Sequence, residues 1–448
     1  MRPTISKKPE KGSQDRGNNL RLPESVVDTL IRVAVIPVSG FSMLLASKLI
    51  IDHGGTDDFA AMTLIWSLLA LLPFADLGLG AAVTNSVAES KEGFGDRKVT
   101  QVVLTALRIL LVVALIIGVS ACLVGAQGGW NALFPLLAGS SINADYAISC
   151  LFIVFSVALP LGLWQRISLG LHRNRANILI GLLSAPFTLL LAWLATSGAL
   201  NFNLLAASPA VGLLVIGIAG TGFVVSTQKF DVKSVLRALP QFRRMPNTNI
   251  FSVGLPMVVV LIGTAFAMQT DRLVLSWYGT PTALAEYSLV AQLHAPALSA
   301  LAAGSLSLWP VFARARSNGE STKVSFRMSL LIGAALGLVF AAGMIAVGPY
   351  LLNLVGSEVV RPSIYVVLAF AALLLVQGAT LPSSMFLTNS RGLVFQAIAI
   401  VLMLIVKIPL SILLVPLGPQ GPVIASIIAV ALFQTAPSTV ASLRGGFR

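Results

Sequence analysis

Residues 102–124 read VVLTALRILLVVALIIGVSACLV, an apolar run of helical length with one charge in it, Arg108. About 20 apolar residues of helix cross the hydrocarbon core of a bilayer. Besides the closed barrel, a helix is the backbone form that satisfies its own polar groups there. Comparable runs occur at about 30–51, 59–83, 147–168, 178–195 and 208–226. A second set follows at about 251–275, 284–309, 328–351, 363–386, 393–415 and 423–443. The expected fold is all-α and polytopic, with about twelve transmembrane helices in two six-helix lobes around a central cavity.

Composition agrees. The 448 residues are 56% hydrophobic and 10% charged, with a mean hydropathy of +0.89, whereas soluble domains carry about 25% charge. The net charge of +13 could suit nucleic acid, but no basic run alternates with aromatics that would stack bases, so no nucleic-acid partner is expected. Cys122 and Cys150 are the only cysteines and read as free, buried thiols. Without a CxxC, an HExxH or a paired His, neither metal nor cofactor is expected. The missing P-loop excludes a fused ATP-driven pump.

Basic residues fall in alternate gaps between the runs, which sets orientation by the positive-inside rule. Twenty-four of the 30 Lys and Arg lie on one side, including six in the polar tail 1–29, which reads as disordered and shows no cleavable signal. The opposite loops carry Asp52, Asp57, Asp58, Asp145 and Glu358. Both termini are therefore expected in the cytoplasm of a bacterial inner membrane. Connection 227–250, with Lys229, Lys233, Arg237, Arg243 and Arg244, reads as a basic cytoplasmic linker between lobes 30–226 and 251–443. A short cytoplasmic tail, 444–448, closes the chain. Lys48-Leu49-Ile50-Ile51, three residues and Gly55-Thr56 are echoed by Arg272-Leu273-Val274-Leu275, three residues and Gly279-Thr280. Repeated halves with a site between them are a common plan of secondary transporters.

A charge at the centre of a span costs ~2.5–3.5 kcal/mol and therefore needs a reason. Lys407 lies about 14 residues into its span, ~21 Å along the axis. That is too deep for easy snorkelling, and a cavity-facing role is favoured over a buried pair. Arg108, about 9 Å deep by the same rise, either snorkels or faces a cavity, and so does Lys48. Arg272 follows Asp271 at the end of span seven, where either a functional role or a structural ion pair fits. Asp76 and Asp271 are candidate charge partners. His294 reads as a core histidine or a proton carrier, and Gln377 as an interhelical hydrogen-bonding group. Lys48, Arg108, Arg272 and Lys407 outnumber the deep acids. Facing one cavity, they would make it positive and suited to phosphate oxygens.

Phe74-Ala75-Asp76-Leu77-Gly78-Leu79-Gly80 with Asn85, and Thr270-Asp271-Arg272-Leu273-Val274-Leu275 with Gly279 and Glu286-Tyr287-Ser288-Leu289, resemble the Wzx-type polysaccharide flippases of the multidrug/oligosaccharidyl-lipid/polysaccharide exporter superfamily. The resemblance implies movement of a polyprenyl-diphosphate-linked oligosaccharide from the inner to the outer leaflet by alternating access. The head would sit in a cationic cavity and the tail in the bilayer. It implies membrane lipids as surroundings, and a glycan polymerase and glycosyltransferases of one pathway as possible partners, with no enzymatic activity of its own. The related lipid II flippases tend to carry Gly-Phe-x-Arg in their first span, where this chain has Gly40-Phe41-Ser42-Met43. Two competing readings are a cation-coupled small-molecule antiporter of the same superfamily, which needs acids in the cavity, and a non-transporting scaffold in glycan assembly. A membrane-embedded glycosyltransferase lacks paired carboxylates beside a large external loop.

Overall fold

The computed structural model describes residues 24–72, 79–90, 97–171, 173–228, 237–241, 255–306, 308, 312, 323–356 and 358–444. Regular structure among them is helical throughout. In the first half, α1 is Glu24–Ala70, α2 Leu79–Glu89, α3 Arg97–Ala126, α4 Ala144–Leu161, α5 Leu163–Gly170, α6 Asn174–Gly181, α7 Ser184–Thr196 and α8 Ser208–Gln228. In the second half, α9 is Leu255–Tyr278, α10 Pro281–Leu306, α11 Lys323–Gly356, α12 Ile364–Phe386, α13 Ser390–Leu414, α14 Gln420–Val430 and α15 Ala436–Leu443. The tail 1–23, the motif around Asp76 and most of the 227–250 linker lie outside the described residues.

Ten helices among the described residues are long and apolar enough to cross a membrane. α1 accounts for two spans. Its 47 residues would reach about 70 Å, against a core of about 30 Å. It breaks at Gly55, where φ is 71° and ψ is −161°, a region essentially closed to residues with a Cβ. Exposed Asp52, His53 and Asp57 surround the break, so it lies at a membrane face. Buried Asp58 fixes it there by accepting from the Ser141 backbone N–H at 2.7 Å and the Ser141 hydroxyl at 2.6 Å. Adding α10, which is long enough but carries Glu286, Gln292 and His294, brings the number of spans to twelve.

Side-chain caps fix several span starts. Asn143 accepts from the Tyr146 N–H at the start of α4, Ser363 from Tyr365 at α12, and Asn389 from Gly392 at α13. Each side chain takes one of the N–H groups that a helix start leaves without an internal partner. Within lipid, apolar helices pack by close contact rather than by escape from water. Gly333 and Gly337 of α11 meet Gly378 of α12 so closely that a Cβ on Gly333 would stand 2.6 Å from the Gly378 carbonyl oxygen.

The two ends of the bundle are built differently. At the Gly55 end, buried side chains of both halves merge into one core. Ile50, Phe59, Phe134 and Ile148 join Leu275, Leu284, Leu289 and Val366. At the linker end the described residues of the two halves form separate clusters. One holds Leu79, Val103, Trp164 and Val224; the other holds Phe312, Phe326, Phe386 and Leu387.

Candidate functional site

The deepest charges meet inside the second half. Lys407 of α13 and Asp271 of α9 pair at 3.1 Å, with side chains 3% and 5% exposed. The Lys407 ammonium also donates to the Ala267 carbonyl oxygen. The other carboxylate oxygen, Oδ2, accepts from the Ser426 hydroxyl of α14 at 2.8 Å and from the Tyr287 hydroxyl of α10 at 3.3 Å. One carboxylate thus ties four spans together. Removing either charge would strand the other in a low-dielectric interior, at a cost of about 3–5 kcal/mol.

Arg272 is half-buried next to this pair. Its Nη1 donates to Gln269 Oε1 at 2.8 Å on the same helix, and its guanidinium lies 5.8 Å from the centre of the Tyr287 ring. Its Nε has no hydrogen-bond partner among the described residues. Arg272 makes no ion pair among the described residues, unlike Lys48 and Lys407. A buried donor without an acceptor is rare in native structures and calls for an explanation.

Lys48 lies in the first half. It pairs with Asp52, one helical turn on, at 3.2 Å. Lys48 precedes the break at Gly55 by as many residues as Arg272 precedes Gly279, so the two echoed cations occupy equivalent places in their halves. The neighbouring Ser47 donates to Gln292 Oε1 of α10 at 2.8 Å, which joins the halves. Nearer the Gly55 end, the Trp277 ring stacks on Phe134 at 6.4 Å, and its indole N–H donates to the Leu133 carbonyl oxygen at 3.1 Å.

The remaining candidates go elsewhere. Arg108 donates from Nε to the Leu239 carbonyl oxygen at 2.9 Å and from Nη2 to that of Ala238 at 3.0 Å. It holds the described part of the linker, away from the other three cations. His294 and Gln377 bond each other at 2.9 Å, and the His294 ring packs on Phe370. Asp76 lies outside the described residues. In this conformation, then, the structure does not bring the four expected cations into one cavity. Lys407 is sealed against an acid, Arg108 donates to linker backbone oxygens, Lys48 pairs with Asp52 on its own helix, and Arg272 reaches Gln269 and the Tyr287 ring within the second half. Among the described residues no group of His, Cys, Asp and Glu could hold a metal ion. Glu286 accepts the Ser363 N–H at 3.1 Å and so braces the start of α12.

The sequence profile of the polysaccharide biosynthesis protein family matches residues 55–316, more than half of the chain. The chain belongs to that family. No curated protein matches it in sequence. In structure it is similar to an inward-facing conformation of a multidrug resistance MATE family transporter of the MOP superfamily. The TM-score is 0.71 at 13% identity, over 93% of this chain and 99% of that one. It is similar to an inward closed conformation of the lipid II flippase MurJ, with a TM-score of 0.70 at 13% identity over 94% and 87%. The likeness to an outward-facing MATE family transporter is looser, with a TM-score of 0.59 at 14% identity over 94% and 96%. The family member described here therefore has the two-lobed MOP fold and is a multi-pass membrane protein. Its resemblance to the Wzx-type flippases stands on both comparisons.

Proposed function

We propose that the protein is a flippase that carries a polyprenyl-diphosphate-linked oligosaccharide from the inner to the outer leaflet of a bacterial inner membrane by alternating access. The observation that carries this reading is Arg272, the intramembrane arginine without an acidic partner among the described residues and with an unclaimed Nε. A guanidinium presents a rigid fork of donors that matches phosphate oxygens. A diphosphate at the seam would give those donors acceptors and bring Lys48 within one negative field from the other lobe. The basic linker end faces the cytoplasm by the positive-inside rule, with both termini on that side. The shared core at the opposite end supports reading this as an inward-facing state that takes substrate from the cytoplasmic leaflet. Family membership in polysaccharide biosynthesis supports a glycan as cargo. The antiporter reading needs a carboxylate free to take a cation, and Asp271 is already occupied by Lys407.

The test is leaflet-specific detection of polyprenyl-diphosphate oligosaccharide in depleted cells. Accumulation on the cytoplasmic leaflet should be reversed by the wild type, partly by Arg272→Lys and not by Arg272→Gln. Normal export by Arg272→Gln at wild-type levels would move the head-group site elsewhere. Unchanged lipid-linked glycan in both leaflets of depleted cells would sink the flippase reading itself.

A further inference from the structure

One cavity lies away from the seam, on the first lobe. It is a groove of about 850 Å³ along the junction of α3 with α4 and α5, closed on one side by α8 and the linker residue Leu239. On α3 its wall runs from Val103 to Leu123, about 30 Å at 1.5 Å per residue, the thickness of a hydrocarbon core. The lining is almost wholly apolar, and the Ser156 hydroxyl in it is spent on the Ile153 carbonyl oxygen. Such a groove accepts a hydrocarbon chain and offers nothing to a polar head.

Its linker end is different. Arg108 pins Ala238 and Leu239 there. Arg237, two residues from the groove wall, is exposed, as are Arg97 and Lys98 at the start of α3. The Arg173 guanidinium lies over Phe223, the neighbour of lining residue Val224, at 5.7 Å from the ring centre. Five cations thus gather at this end, against Glu89 at the end of α2 and Asp96 next to Arg97 in the sequence. Charge is therefore concentrated at one mouth of an apolar channel.

We propose that this groove binds an anionic phospholipid. Its acyl chain lies along α3 and α4, and its phosphate head meets Arg97, Lys98 and Arg237 at the linker end. Basic clusters at the cytoplasmic border of spans select anionic lipids over neutral ones. The site uses first-lobe and linker residues and shares none with Arg272, so it stands whether or not the diphosphate reading does. Leu239 is both groove wall and interlobe linker, so an occupied groove would hold the linker against the first lobe.

Native mass spectrometry of the full-length protein, delipidated and then titrated with dioleoyl phosphatidylglycerol or dioleoyl phosphatidylcholine, tests the site. The wild type should retain phosphatidylglycerol about tenfold better. The triple variant Arg97→Gln/Lys98→Gln/Arg237→Gln should lose that preference while folding normally, since its changes are exposed. Leu111→Trp, which fills the groove, should lower retention of both lipids. Equal retention of the two lipids by the wild type would overturn the proposal. So would an unchanged preference in the triple variant. Displacement of phosphatidylglycerol by equimolar undecaprenyl phosphate would overturn it too, by making the groove a carrier-chain site.

Discussion

At the Gly55 end the two halves of the bundle share one buried core, whereas at the linker end the described residues of each half keep to their own cluster. Inside the second half the packing is tight and cross-tied. The approach of Gly333 to Gly378 leaves no room for a Cβ, and Asp271 joins four spans through one carboxylate. Among the described residues the polar links across the seam include Ser47 to Gln292 and Trp277 to Leu133. Each such bond contributes about 0.5–1.5 kcal/mol net, small enough to be exchanged for contacts at the other end. Rigid lobes with a weakly latched seam are what alternating access requires, because the lobes must rock as bodies while the seam changes sides.

The most damaging test of that contrast is to make the seam permanent. In a Cys122→Ser/Cys150→Ser background, Phe134→Cys/Trp277→Cys should cross-link under mild oxidation and abolish glycan export, with recovery on reduction. Export that continues in fully cross-linked protein would mean that this end never opens.

Next in size is the lock inside the second half. Lys407→Met should lower stability by about 3–5 kcal/mol by leaving Asp271 charged and unpaired, read as a fall in thermal unfolding temperature in detergent. Lys407→Met/Asp271→Asn should recover most of the loss. A double variant no better than the single would show that the pair does not act as a unit. Smaller again is Gly378→Ala, where the added methyl meets the Gly333 backbone. Overpacking of this kind costs about 1–3 kcal/mol, and unfolding in detergent should show it without a change in seam behaviour.

The spans, their alternation and the break before Thr56 were legible because length, apolarity and glycine act locally. Depth was legible too, and the cost of a charge at the position of Lys407 signals that something must meet it. The direction it faces was not. Around Lys407, α13 offers only Ser411 one turn on as a polar neighbour, too little to tell which span its ammonium meets, and Asp271 lies on a distant span. The favoured cavity-facing placement therefore gives way, in this conformation, to a buried pair. Arg108 shows the same limit, since its acceptors are backbone oxygens of the linker, which carry no residue signature. Trp277 and Phe134 had no signal at all, because aromatics at span ends are ordinary interfacial anchors.

The finest test separates the two parts of the seam latch. Trp277→Phe keeps a ring to stack on Phe134 but removes the N–H that reaches Leu133. Trp277 is 48% exposed, so water competes for that bond, and the lower part of the 0.5–1.5 kcal/mol range applies. That corresponds to a two- to threefold rise, roughly, in the population open at the Gly55 end. Spin labels on exposed Asp57 and Glu358 replaced by Cys, in the same cysteine-free background, would report it as growth of a longer distance. A shift many times larger would mean that the indole bond, rather than the shared core beneath it, holds this end shut.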